Sequence, residues 1–304
     1  MTFANVPGLQ RLVGFTIFTA DVRATAAAYA RWLDYVIAEQ TIVSPLLARL
    51  WGCARLAGRS LALLHAPASP ATLLRLVEMP VPPAATPLLG HGWNAMEVLV
   101  QDPYALAVQL EGSPFRIVIP PRPLPFDASI HAMQVIGPAG ELLYLTALPT
   151  KRTILDLNAA RTRVDRPFIA ILGGPDASAM LSFYSARLRT PVIAPTATIV
   201  QIINEQFSLA ADQRIALGIV KLPRDCLIEV DEMPPAARPR AQLDDAASSG
   251  IAMLSCECAD LQTLDVNWRG APQALQTAPY CGRRAAVTVG AAGEWIELIE
   301  TAVR

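Results

Sequence analysis

The sequence predicts an α+β chain built as a tandem duplication, with four βαβββ modules in 304 residues. The first observation behind this is an internal repeat, the signature of a duplicated unit. Glu78-Met79-Pro80 returns as Glu232-Met233-Pro234 at an offset of 154. Gly137-Pro-Ala-Gly-Glu141 returns as Gly290-Ala-Ala-Gly-Glu294 at 153, and Asp21 with Tyr29 returns as Asp176 with Tyr184 at 155. The second is the alternation of strand-like and helix-like stretches inside each half. The third is composition: 53% hydrophobic and 17% charged residues, against about 25% charged in an average soluble chain, which is enough apolar material for sizeable cores.

In the first half, Leu12–Thr19 reads as a strand, Val22–Leu33 as a helix, and Ser60–Leu64 and Leu73–Val77 as strands, followed by a proline-rich connector from Pro80 to Pro87. The order then restarts. Asn94–Val100 is a strand and Pro103–Glu111 a helix with Asp102 as N-cap and proline at its first position. Phe115–Ile119, His131–Ile136 and Glu141–Thr146 are strands. The second half repeats this with strand Phe168–Leu172, helix Ala177–Leu188 and strands near Ile199–Ile203, Ile215–Val220 and Leu227–Val230. Its last module has strand Ile251–Cys258, helix Leu261–Trp268 and strands Ala274–Thr277, Arg284–Val289 and Glu294–Ile299. The expected units are therefore residues 1–149 and 167–304. The linker 150–166 is the most charged stretch and has room for one extra helix.

Composition also excludes functions. A net charge of −1 supplies no field for nucleic acid or an anionic membrane. The longest uncharged stretch, Met79–Met96, contains four prolines and forms no spanning helix. Met1–Gln10 lacks a secretory pattern, so the expected address is cytoplasmic. Five cysteines without a C-x-x-C pair argue against a disulfide framework or a zinc ribbon. Cys256 and Cys258 read as packing residues.

Four such modules, each with an apolar strand running into Asp, a tyrosine-bearing helix in the first module of each half, and a closing Gly-Glu-x-x-x-Leu strand, resemble the vicinal oxygen chelate superfamily of glyoxalase I, extradiol dioxygenases and bleomycin-resistance proteins. The resemblance spans almost the whole chain and implies paired modules, each pair closing a cup-shaped sheet around a small-molecule cavity. It also implies where a metal would be held: by inward residues on the first and last strands of modules. Aligned on Asp21, Asp102, Asp176 and Asp260, the first-strand positions here are Gly14, Ala95, Ile169 and Met253, and the last-strand positions are Arg75, Tyr144, Glu229 and Glu297. Two carboxylates without imidazole make a poor iron or zinc site, so no metal and no other cofactor is expected.

Within the first half, inward parity adds Thr16 and Glu97 to Arg75 and Tyr144. The expected catalytic set is Glu97 as general base with Tyr144 and Arg75 stabilising an anionic oxygen. Thr16, Gly14, Ala95, His65 and His131 contribute to substrate binding, the small residues by leaving room. The competing reading is that Arg75 and Glu97 form a buried structural pair. Glu229 and Glu297, facing one another in the second half among Ile169, Ile171, Met253 and Trp295, are the alternative site. Tyr29 and Tyr184 read as core. Three functions remain: a metal-independent isomerase or lyase acting on a small carbonyl or aromatic compound, a binding protein that sequesters such a compound, and an extradiol-dioxygenase-type metalloenzyme, disfavoured because its ligands are missing. The partners expected are a small molecule and a second copy of the chain in a homodimer.

Overall fold

The computed structural model describes residues 8–79, 90–149, 157–223, 226–239 and 250–302. Module 1 comprises β1 (Leu9–Thr19), α1 (Val22–Leu33), β2 (Val36–Ile42), α2 (Pro45–Leu50), β3 (Ser60–His65) and β4 (Leu73–Glu78). Module 2 comprises β5 (Gly92–Val100), α3 (Pro103–Gln109), β6 (Arg116–Leu124), β7 (Asp127–Ile136) and β8 (Leu142–Ala147). Module 3 runs β9 (Val164–Gly174), α4 (Ala177–Ser182), β10 (Val192–Thr198), α5 (Gln201–Gln206), β11 (Ile215–Leu222) and β12 (Cys226–Glu232). Module 4 holds β13 (Gly250–Cys258), β14 (Gln273–Ala274), β15 (Arg284–Val289) and β16 (Trp295–Glu300).

The local chemistry of the helices follows the sequence. Asp21 caps α1 by accepting from the Ala24 amide, and the helix buries Val22, Ala26, Tyr29 and Leu33 along one stripe. Asp102 caps α3 through the Tyr104 and Ala105 amides, with Pro103 behind it.

Two eight-stranded sheets result, in the orders β14-β15-β16-β13-β1-β4-β3-β2 and β10-β11-β12-β9-β5-β8-β7-β6. In every module the first and last strands pair in parallel, and two modules meet where their first strands pair antiparallel, β1 on β13 and β5 on β9. The first sheet therefore joins modules 1 and 4, and the second joins modules 2 and 3. This corrects the expectation that each half closes its own sheet. All four modules offer the same first-strand edge, so the repeat alone carries no information about which edge meets which.

Two buried clasps tie the sheets together. Tyr29 on α1 donates to Glu141 Oε1 at 2.5 Å, while the Ala139 amide donates to the other oxygen. Tyr184 donates to Glu294 Oε1 at 3.1 Å, with the Ala292 amide on its Oε2. Each clasp joins two modules of one half across the two sheets. The carboxylates fold back onto Gly137 and Gly290, where a Cβ would lie 2.0 and 1.9 Å from the glutamate oxygen; a side chain there would have to displace the clasped carboxylate. Trp93 Nε1 adds a bond to the Trp295 carbonyl at 2.8 Å, and Ser69 donates to the buried Asp165 at 2.5 Å.

Four local expectations are corrected. β2 and α2 fill the gap after α1. Ile199–Ile203 is not a strand: β10 ends at Thr198 and α5 buries Ile202 and Ile203, an ambiguity inherent in a short apolar run. The expected helix Ala177–Leu188 is helical to Arg187 but changes type, α4 passing into a π-helix at Phe183–Arg187. Leu261–Trp268 keeps only a 3₁₀ turn, Leu261–Thr263, because Asn267 and Trp268 are drawn to β15: Thr288 donates to the Asn267 carbonyl, and Trp268 bridges Thr288. Residues 157–163 are irregular; the connector Pro80–Pro87 and linker residues 150–156 lie outside the described residues. Cys256 and Cys258 are free and buried in the core. Among the described residues no helix is long and apolar enough to cross a membrane.

Candidate functional site

Strand alternation decides which side chains enter each cup. In the first sheet, Thr16, Arg75, Ser255 and Glu297 converge from β1, β4, β13 and β16, in register as Thr16 opposite Arg75 and Ser255 opposite Glu297. Arg75 Nη2 donates to Glu297 Oε2 at 3.0 Å and Nη1 to Thr16 Oγ1 at 3.3 Å; the two charged side chains are 5% and 0% exposed. Ser255 donates to the same carboxylate at 2.6 Å, Tyr280 at 2.6 Å and Trp51 Nε1 at 2.8 Å. The guanidinium lies 5.1 Å over the Trp51 ring and 5.7 Å over the Tyr280 ring, a cation–π arrangement. Burial alone would raise the Glu297 pKa, but Arg75 and the three neutral donors hold it below the usual carboxylate range. Trp51, Leu47, Leu50 and Leu275 pack this face shut. It is a neutralised, filled core.

The second cup is different. Glu97 on β5 stands opposite Tyr144 on β8 and Ile169 on β9, and Glu229 on β12 opposite Ile171. Asp231, two residues past Glu229, shares its face, and Gln134 on β7 pairs with Tyr144. The walls are apolar: Ala95, Ile169, Ile171, Leu227 and, from the covering helix α5, Ile202 and Ile203. Thr146 donates to Glu97 Oε1 at 2.5 Å. Asp231 is 2% exposed, and its Oδ1 has no protein donor, nor has the buried Oε1 of Gln134.

Uncompensated burial dominates the electrostatics here. It pushes the Glu97 carboxyl up to about 8, the Thr146 bond opposing and nearby Glu229 adding to the rise. It takes Glu229 up to about 7 and Asp231 well above its ordinary value, Asp231 also through repulsion from Glu229. Burial, then Asp231, Glu229 and Glu97, keep Tyr144 a neutral phenol. Among the described residues no arginine or lysine contributes to these shifts.

The expected site residues thus separate. Glu97, Tyr144 and Ala95 come together in the second cup with Glu229. Arg75 and Thr16 lie in the first sheet, so the expected Arg75–Glu97 partnership is corrected to Arg75–Glu297. That pairing in turn separates Glu297 from Glu229. Gly14 does not make ligand space: a Cβ there would stand 2.3 Å from the Leu73 carbonyl oxygen, so glycine permits the close β1–β4 approach. His65 ends β3 in the first sheet with Nδ1 2.9 Å from the Ala66 carbonyl. His131 shares the parity of Met133 and Val135 in the helix-side core, and its Nδ1 lies 3.0 Å from the Tyr104 hydroxyl on α3; neither histidine enters the second cup. Asp231, Thr146 and Gln134 escaped the sequence reading, although Asp231 had a signal, since the repeat sets it against Val77.

No protein-family model and no curated protein matches the sequence. Solved structures do match the fold. Glyoxalase I from Zea mays superposes with a TM-score of 0.62 at 13% identity, over 95% of this chain and 92% of that one. A point mutant of the same maize enzyme gives 0.64 at 14% over the same shares. A candidate dioxygenase from Bacillus subtilis gives 0.63 at 10%, over 97% and 86%. The chain has the vicinal oxygen chelate fold. The sequence resemblance implies a metal at the first- and last-strand positions described above, and the residues standing there do not suit one. In the first sheet a guanidinium occupies the centre. In the second the inward set is three carboxyls, Glu97, Glu229 and Asp231, with a phenol and isoleucines, without imidazole. Among the described residues no group of three or more His, Cys, Asp or Glu side chains is arranged to hold a metal ion. What the second vicinal oxygen chelate cup offers is proton chemistry: carboxyls tuned toward neutrality beside a phenol donor, out of water.

Proposed function

We propose that the second cup binds a small carbonyl compound and moves a proton on the carbon next to the carbonyl, an isomerase- or lyase-type reaction run without a metal. The observation that carries this reading is the convergence of Glu97, Glu229 and Asp231 with Tyr144 in an apolar cup to which the described residues supply no counter-charge. Ionised Glu97 takes the proton from carbon. The C–H electron pair moves toward the carbonyl, and the Tyr144 hydroxyl donates to the oxygen as its negative charge grows. Burial makes Glu97 a stronger base than an exposed glutamate, bringing its basicity near the working pH. Thr146 fixes one carboxylate oxygen and leaves the other for substrate.

The test is exchange of α-carbon protons for deuterium, followed by NMR in D₂O with hydroxyacetone and acetophenone. The protein should accelerate exchange, with a rate that rises with pH as Glu97 ionises, and Glu97→Gln should lower it by roughly 10²-fold or more. Exchange no faster than buffer, or a Glu97→Gln protein as active as the parent, overturns the reading. A compound that binds without exchanging would make the cup a sequestering site instead.

A further inference from the structure

We propose that the ligand of the second cup carries an organic cation, an ammonium or guanidinium group, held by Glu229 and Asp231 where the first sheet holds the guanidinium of Arg75. This rests on the reading of that cup as the ligand site and deepens it: the substrate class becomes a small amine- or guanidine-bearing compound.

The duplication supplies the argument. The offset that matches Glu78 with Glu232 sets Arg75 against Glu229 and Val77 against Asp231. The structure supports this correspondence, since Arg75 pairs with Thr16 on the parallel first strand as Glu229 pairs with Ile171. Likewise Ser255 pairs with Glu297 as Glu97 pairs with Tyr144. One inward cation in the first sheet is thus replaced by an anion in the second, and a valine by a second anion. In the first sheet the cation is held by a carboxylate and capped by aromatic rings. The second cup keeps carboxylates and offers rings in Tyr144 and Phe207, the latter following α5 as Trp51 follows α2 and packing on the cup wall. Among the described residues it has no positive charge to match Arg75.

Hydrogen-bonding capacity points the same way. The buried atoms of this cup that have no partner among the described residues, Asp231 Oδ1 and Gln134 Oε1, are both acceptors. A carboxylate or phosphate ligand would bring further acceptors and further negative charge into an apolar enclosure. Ammonium and guanidinium groups bring donors only, and a buried charge is stable where it is paired.

The test is a charge series of nearly equal shape, benzamidine, benzamide and benzoate, titrated by calorimetry against the intact protein at pH 7. Benzamidine should bind at least 10-fold tighter than benzamide, and benzoate weaker than both. Benzamidine binding should also release protons, read from buffers of different ionisation enthalpy, because the cation favours ionised Glu229 and Asp231. Glu229→Gln with Asp231→Asn should cost at least 10-fold in benzamidine affinity and leave benzamide unchanged, which also controls for folding. If that variant fails to fold, the charge series on the parent protein decides. Benzamide or benzoate binding as tightly as benzamidine, or benzamidine affinity that survives the double substitution, overturns the proposal. Absence of benzamidine binding alongside active exchange on hydroxyacetone refutes the cation assignment alone. Benzamidine binding without exchange on any carbonyl refutes the proton-transfer reading alone.

Discussion

Replacing Arg75 with leucine separates a structural role for the first sheet from a ligand-binding one. The substitution strands Glu297, 0% exposed, with only Ser255, Tyr280 and Trp51 as neutral donors. Breaking a buried pair from one side costs about 3–5 kcal/mol. The carboxylate can escape by taking a proton, which from an ordinary value of 4.5 costs about 3.4 kcal/mol at pH 7, at 1.36 kcal/mol per unit. Protonation therefore caps the loss at about 3–4 kcal/mol. At roughly 2–4 °C per kcal/mol for a chain of 150–250 residues, Tm falls by about 7–14 °C, somewhat less in a longer chain. At pH 5 the same escape costs only about 0.7 kcal/mol, so the destabilisation should shrink. Arg75→Leu with Glu297→Gln should recover most of the loss, since a neutral amide needs no counter-charge and its oxygen still accepts from the Ser255, Tyr280 and Trp51 donors. Thermal melts at pH 5 and pH 8 read all of this. An unchanged Tm, or a loss equal at both pH values, refutes the reasoning, and loss of ligand binding at unchanged stability would return Arg75 to a recognition role.

The second-cup carboxyls and the two clasp glutamates should set the pH profile of stability. Burial raises Glu97 to about 8 and Glu229, Glu141 and Glu294 to about 7, so from about pH 4.5 to 8 the folded chain keeps protons that the unfolded chain has lost. Stability must then fall as pH rises through that window. Urea midpoints should drop from pH 5 to pH 8, and Glu97→Gln should flatten the slope; a midpoint that climbs over the range contradicts the assignment. Glu297, Asp165 and Glu257 are shifted downward, so their contribution disappears only on acidification below about 4.5. Tyr29→Phe leaves Glu141 Oε1 without its 2.5 Å donor and should cost about 1–3 kcal/mol, more than Tyr184→Phe at the 3.1 Å clasp; equal melts for parent and Tyr29→Phe would show that the clasp contributes nothing. Gly14→Ala drives a methyl into the Leu73 carbonyl and should cost about 2 kcal/mol or more, which denaturant unfolding would reveal or refute.

The module was legible in the sequence because its marks are local and chemically obligatory. Asp102 must cap a helix, and a short apolar run such as Leu73–Val77 must be buried as a strand. The pairing of modules was not legible, since β1 could meet β5 or β13 by the same alternation. The site followed that error: Arg75 and Glu97 share inward parity, but parity carries no information about the sheet. Glu97, Tyr144 and Glu229 nonetheless stand out individually as inward polar side chains, because a polar side chain on an inward position of an apolar strand is costly wherever the strand lies. α2 and α5 were missed because six-residue amphipathic turns have too short a period to register.

The crossed assembly bears on how such a chain could arise. A half-length ancestor carrying modules 1 and 2 would leave two first-strand edges bare, and a pair of copies related by a two-fold axis would zip each edge to the other copy. That gives two identical sheets, and symmetry would force any substitution into both cups at once. Head-to-tail fusion removes that constraint. The strand order β13-β1 in one sheet and β9-β5 in the other is what such a fused pair looks like, and Arg75 and Glu229, opposite charges at corresponding positions of the repeat, show the freedom it confers: each cup can change without the other.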